Sequence, residues 1–168
     1  GHSGYQNIWA VPIFETGRMT GGFLLREDAT ERIKRDQLFA QALQTTPNGF
    51  WVIDDQGRIR ECNAAAVEMT GYSENELKRM HVADIVADST MEEVLARMET
   101  MRREGHARFT SRHRRKDGVL LNVEVNATFL AQDNGYFVVA VRDITEEVEK
   151  QEALIRSEEK FGRAFHRS

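Results

Sequence analysis

The sequence predicts an α+β domain: an antiparallel sheet carrying short helices on one face. Three observations lead there. Apolar residues alternate with polar ones through 119–131, the periodicity of a half-buried strand. Turn signals at Asp54-Asp55-Gln56-Gly57, Lys116-Asp117-Gly118 and Asp133-Asn134-Gly135 cut the chain into strand-sized pieces. Between an early pair of strands and a late set of three lie only helical patterns, and strand runs flanking a helical block imply helices segregated to one face of a sheet.

The totals suit one ordinary soluble domain plus polar connecting helices: 168 residues, 40% hydrophobic and 30% charged, with a formal net charge of −4. No run of about 18 apolar residues is present, so no membrane span is expected. The N-terminus lacks a basic-then-apolar signal pattern, and Gly1-His2-Ser3 has the look of a cloning remnant. Cys62 has no second cysteine to pair with, which favours a reducing, cytoplasmic setting. The mild acidity argues neither for nor against nucleic acid.

Taken in order, residues 8–14 and 19–27 read as two strands around a Thr16-Gly17-Arg18 turn. A lone hairpin is marginal in water, so it belongs to a truncated domain or pairs with something else. A charged helix runs from Thr30 to about Thr45, with Ile33, Leu38, Phe39, Ala42 and Leu43 apolar, and Pro47-Asn48-Gly49 stops it. Phe50 to Ile53 and Arg58 to Cys62 are strands. Asn63 is a good N-cap for a helix through Thr70, Gly71 a good C′ residue, and Ser73 to Glu76 has the spacing of a capping box. Ser89-Thr90-Met91-Glu92 starts the clearest helix, in which Met91, Val94, Leu95, Met98 and Met101 recur at helical spacing; Gly105 closes it. Strands follow at 107–115, 119–131 and 136–141, and helix resumes at Thr145.

The corner Arg142-Asp143-Ile144-Thr145-Glu146 occurs in outline twice. Arg26-Glu27-Asp28-Ala29-Thr30-Glu31 carries the same punctuation, with Asp28 and Asp143 115 residues apart. The same ungapped shift lays Phe14 on Phe129, Phe23 on Val138, Leu25 on Ala140 and Ile33 on Val148, a domain-sized repeat. Thr145 is placed to cap the outgoing helix, Glu146 and Glu147 sit at its positive end, and Asp143 is expected to grip a basic or amide group on the sheet. The plain alternative is an ordinary strand-to-helix junction.

An ordered set of short matches now identifies a family. Gly49-Phe50, Asp54-x-x-Gly57-Arg58-Ile59, Asn63, Met69-Thr70-Gly71-Tyr72-Ser73-x-x-Glu76-Leu77, Arg115-Lys116-Asp117-Gly118 and Asp143-Ile144-Thr145 together resemble a PAS domain. Residues 48–145 cover essentially all of one. The resemblance implies a five-stranded sheet in the order 2-1-5-4-3, a pocket between sheet and helices, and passage of pocket changes to the outgoing helix through Asp143, Ile144 and Thr145. It also divides the chain: 1–28 as the last strands of a preceding PAS-like module (or a hairpin pairing with the domain), 29–47 as a linker helix, 48–145 as the domain and 146–168 as a coiled-coil-type helix leading onward. Phe161-x-x-x-Phe165 stands 122 residues after Phe39-x-x-x-Leu43, one heptad more than the domain shift, which keeps helix phase and points to a homodimer through the flanking helices.

The expected pocket wall is Met91, Val94, Leu95 and Met98 against Leu121, Val123, Val125, Phe137 and Val139, with Trp51 and Tyr72 flanking any planar ring. A simply filled core would show the same stripe. Haem is disfavoured, because the helix from Met91 to Met101 has no axial histidine and His81 reads as a surface or capping residue. A covalent flavin is disfavoured because Cys62 precedes Asn63 at a strand end, where it reads as an inert thiol. Non-covalent FAD or FMN stays open; the leading expectation is no cofactor. Arg108, Arg112, His113, Arg114, Arg115 and Lys116 form a basic hairpin, but alternation splits them between faces and only Phe109 is near to stack, so nucleic acid is not expected. No phosphate loop, zinc-type Cys/His set or nucleophile with base is present, and the segment reads as non-enzymatic.

Three functions compete. One is a sensory module of a multi-domain bacterial signalling protein, reading a small molecule, cofactor state or partner and driving a histidine kinase or diguanylate cyclase. The second is a structural dimerisation spacer with a filled core. The third is nucleic-acid binding through the hairpin, testable by salt-sensitive affinity.

Overall fold

The computed structural model describes residues 8–15, 18–26, 37–38 and 40–165, which fall into two compact units, Gly1–Leu43 and Gln44–Ser168. In the first unit β1 (Ile8–Glu15) and β2 (Arg18–Arg26) pair antiparallel, with an irregularity between Ile13 and Phe14. The expected Thr16-Gly17 turn, the corner at residues 27–31, the helix start at Thr30, and Phe39 lie outside the described residues. Residues 37–38 and 40–45 are helical (α1), and bends follow at 46–48, where Pro47 and Asn48 were expected to stop the helix.

The two strands of the repeat pair antiparallel in both copies, but not in one register. Trp9 pairs with Leu25, which the domain shift would carry onto Glu124 and Ala140. Ala140 pairs instead with Asn126, two residues further along the strand. The chain from Glu15 to Arg18 is shorter than that from Leu130 to Tyr136, so the two hairpins cannot share one register.

The second unit runs β3 (Gly49–Asp54), β4 (Ile59–Cys62), α2 (Ala64–Thr70), α3 (Glu74–Leu77), a 3₁₀ turn (Val82–Asp84), α4 (Met91–Glu104), β5 (His106–Arg114), β6 (Leu120–Leu130), β7 (Tyr136–Asp143) and α5 (Thr145–Phe165). The sheet is antiparallel in the order β4-β3-β7-β6-β5, the order the resemblance implied.

Local chemistry fixes the short elements. Asn63 is 3% exposed; its Oδ1 accepts from the Ala66 and Phe50 N–H groups at 3.0 and 2.8 Å, and its Nδ2 donates to the Asn48 carbonyl at 3.0 Å. One side chain thus caps α2 and ties it to β3. Reciprocal capping boxes start α3 at Ser73–Glu76 and α4 at Thr90–Glu93. Gly57 holds a φ of +84°, and a Cβ there would collide with the His81 ring. His81 is the capping residue expected: Nδ1 accepts from the Ala83 N–H at 3.0 Å, and Nε2 lies 2.7 Å from the Gln56 carbonyl.

The core lies between the inner sheet face and α4. Trp51, Ile53, Val123, Val125, Ala127, Phe137, Val139 and Val141 meet Val94, Met98 and Met101, with Leu77 and Ile85 filling the side. Burying a large aliphatic or aromatic side chain is worth about 1.5–3 kcal/mol, so this layer holds the domain together. No helix among the described residues is long and apolar enough to cross a membrane.

Candidate functional site

A cavity lies within that layer. Strand alternation aims Trp51 and Ile53 of β3, His113 of β5, Val125 and Ala127 of β6, and Phe137 and Val139 of β7 at the same space. Val94, Met98 and Met101 of α4 close it opposite, Val82 and Val86 close one end, and Arg97 and Phe109 stand at the rim. The space open to the centre of a water molecule is about 50 Å³.

Among the described residues three buried side-chain polar atoms have no hydrogen-bond partner: Trp51 Nε1, His113 Nδ1 and Arg115 Nε. The first two belong to residues that line the cavity. Their rings stack, with centroids 5.9 Å apart and planes 25° apart, and the residues are 0% and 4% exposed. Burial pushes the His113 imidazole down to about 4 against the pull of the Asp88 carboxylate, so the ring is neutral at ordinary pH. Asp88 is itself engaged, accepting from Ser111 Oγ at 2.9 Å and the Arg112 N–H at 3.0 Å. At the rim Arg97 lays its guanidinium 4.6 Å from the Phe109 ring centroid and donates to Ser89 Oγ at 3.3 Å.

The expected wall residues separate. Trp51, Met98, Val125 and Val139 line the cavity; Val123 is fully buried but lies outside its lining. Met91 and Leu95 do not line it: they are 45% and 43% exposed. The buried face of α4 is Val94, Met98 and Met101, and Leu95, one residue on from Val94, points about 100° away. Met91 is the first helical residue, a turn ahead of that face. Tyr72 is half-buried just after α2, with the Lys116 ammonium 6.0 Å from its ring, and is not a cavity residue. Trp51 and Tyr72 therefore do not flank one planar ring. A flavin or a porphyrin asks for a pocket in the range of about 300–1,000 Å³. This cavity fits neither.

His113 is the residue the hairpin reading misplaced. It shares parity with Phe109 and the buried Ser111, whereas Arg108, Arg112 and Arg114 alternate outward. That parity was the available signal. The outward bases meet acids of the domain: Arg108 pairs with Glu124 at 2.7 Å and Lys116 with Glu76 at 2.7 Å. Cys62 is half-buried, and desolvation pushes its thiol up.

At the far end of β7 the corner is densely bonded. The Ile144 N–H donates to the Asn122 carbonyl at 2.8 Å, and the Asn122 N–H donates to Thr145 Oγ1 at 2.9 Å. Asp143 does not grip the sheet, as expected of it; its Oδ1 accepts from the Thr145 N–H at 2.9 Å and the Thr145 hydroxyl at 2.6 Å. An aspartate two residues before a helical N–H closes a local turn more readily than it reaches across a strand. Thr145 makes the tie instead. Beside it, charges run from β5 to α5: Arg108 to Glu124, Glu124 to Arg142 at 3.6 Å, and Arg142 to Glu147 at 2.6 Å. The Arg108 hydrogen bond holds the Glu124 carboxyl below the usual carboxylate range.

The protein-family model described as PAS fold matches residues 37–144. The chain belongs to the PAS family. A methyl sulfide methyltransferase-associated sensor of Methanosarcina acetivorans is 27% identical over 85% of this chain, and the match spans 18% of that relative's length. Among solved structures, the PAS domain of an HTR-like protein from Haloarcula marismortui superposes with a TM-score of 0.63 at 21% identity, covering 71% of this chain and all (100%) of that one. A PAS domain from a two-component sensor histidine kinase gives 0.59 at 23% identity, covering 67% and 98%. What the chain shares with these structures is the PAS fold.

Proposed function

We propose that this PAS domain is the sensory module of a longer bacterial signalling protein, in which the state of the cavity reaches α5 through Thr145. The observation that carries the reading is that both sites share a strand. Val125 and Ala127 of β6 line the cavity, and Asn122 of the same strand is held by Ile144 and Thr145. A shift of β6 is therefore a shift at the start of α5. The mechanism is a change in population between two helix settings, so an occupant must prefer one of them. The output is a histidine kinase or a diguanylate cyclase. The spacer reading requires a filled core, and a cavity with unpaired polar atoms counts against it. Residues 1–28 are read as the end of a preceding module, and α5 as pairing with a second copy. Val148, Ile155 and Gly162 fall seven apart, and Leu154 and Phe161, 59% and 69% exposed, flank them. Sedimentation that finds only monomer at high concentration would remove the pairing.

The test of sensing needs no ligand. Ala127→Leu, with Val139→Ile as the milder filling, should change amide exchange at Asn122 and Ile144 to Val148 by about tenfold, equivalent to about 1.4 kcal/mol of local opening. Unchanged exchange in both folded variants would overturn the reading.

A further inference from the structure

We propose that the ion-pair chain Arg108–Glu124–Arg142–Glu147 is a clasp on α5 that rising ionic strength opens. In dilute salt it holds the root of the helix against the sheet; in concentrated salt the helix pivots on its bonds to Asn122 alone. The inference rests on α5 being the output helix, and adds a physical variable that acts on it without passing through the cavity.

The strand registers build the clasp. Glu124 stands on the outer face of β6, between the buried Val123 and Val125. Arg142 of β7 lies directly opposite it, and Arg108 of β5, opposite Asn126, is one diagonal step away. One carboxylate therefore serves two guanidiniums: Oε2 takes Arg108 at 2.7 Å, and Oε1 lies 3.6 Å from Arg142. Arg142 reaches on across the corner to Glu147, in the first turn of α5, at 2.6 Å.

Two ties thus hold the same helix root, and they differ in kind. The Ile144 and Thr145 bonds to Asn122 join uncharged groups. The chain joins full charges in solvent, with the Arg108, Arg142 and Glu147 side chains 69%, 44% and 63% exposed. Screening acts over about 10 Å at 0.1 M salt and about 3 Å at 1 M, and exposed charges feel it most. The link from Glu124 to Arg142, which joins the sheet's half of the chain to the helix's half, is the longest of the three. An exposed pair contributes little to global stability, so its effect is read at the first amides of α5. The Val148 N–H, which donates to the Ile144 carbonyl at 2.9 Å, is one of these.

The test is amide exchange of Val148 and Glu149 in the 168-residue chain, expressed as protection over the intrinsic rate at each salt. Between about 20 mM and about 0.5 M sodium chloride, wild-type protection should fall about threefold, the worth of one exposed pair. Glu124→Gln and Arg142→Gln should show the lower protection already in dilute salt and change little as salt rises. Lys150→Gln, which removes the Glu146 pair within α5, should keep the wild-type response. The Asn122 amide should stay protected throughout. Wild-type protection that is flat with salt would overturn the inference. So would a response that survives Glu124→Gln and Arg142→Gln or is abolished by Lys150→Gln, because it would belong to the helix's own charges. Loss of Asn122 protection at high salt would mean that the corner melts rather than pivots, and the clasp falls with it. None of these arms fills the cavity, so a failed salt response leaves the Ala127→Leu experiment standing, and the reverse.

Discussion

The cavity wall and the β7–α5 corner share strands β6 and β7 but are built in opposite ways. In the wall, Trp51 and His113 bury polar atoms with nothing to bond, surrounded by valines and methionines. At the corner, Asn122, Asp143, Ile144 and Thr145 are joined by short hydrogen bonds, with an ion-pair chain alongside. An unsatisfied group is sensitive to what arrives, because a newcomer changes its energy by a whole hydrogen bond. A satisfied network is insensitive to small molecules and moves as a piece. Under the proposed function, the contrast separates the place that receives from the place that relays.

Four perturbations sharpen or break that contrast. The largest is Trp51→Ala, which leaves a void under β3 and should cost about 3–5 kcal/mol in urea unfolding. A loss of only a few tenths would mean that Trp51 is not a wall of the core.

Acid comes second. His113 stays neutral in the fold until about pH 4, whereas the unfolded ring takes up a proton near its ordinary value of 6.5. Between those values the unfolded state binds more protons. The neutral ring's contribution is therefore complete above pH 6.5 and is lost as pH falls toward 4, by about 3 kcal/mol. Carboxylates held low, such as Glu124, lose stability in the same direction, so the measurement is wild type minus His113→Phe across urea melts. A difference flat with pH would place the imidazole in water.

Third, Thr145→Val removes the hydroxyl that bonds Asn122 and Asp143. It should cost about 1–2 kcal/mol and speed exchange of the Asn122 amide. If that amide stays protected, the tie runs through Ile144 alone. The smallest effect is Glu124→Gln, which breaks exposed pairs to Arg108 and Arg142. Its cost should be measurable at low ionic strength and vanish at about 1 M salt.

Much of the fold was legible because its signals are local. Asn63, Ser73, Gly71 and Gly105 act as the caps their side chains or backbone freedom suit them for, and the Asp133-Asn134-Gly135 turn carries positive φ at all three residues. The site was less legible. Helical spacing gave α4 an apolar stripe, yet only packing against the sheet decides that Val94 and Met98 go in while Leu95 stays out. His113 was hidden by its neighbours: five basic residues around it imply solvent, and only the parity of β5 turns it inward. Asp143 was legible as part of the corner but not in its role. Whether a carboxylate reaches across or folds back depends on rotamers that the sequence does not display.

The grip on Asn122 has a mechanical consequence. Both backbone groups of that residue are engaged by the first turn of α5, while beyond Val148 the described side chains of the helix are exposed. A rod pinned at one end keeps its tilt and loses its glide. With 21 residues, α5 is a lever of about 32 Å, so a tilt of about 10° at the pin swings its far end by about 5 Å. Under the proposed function, motion leaving this domain through α5 is angular, and it grows with distance from its source.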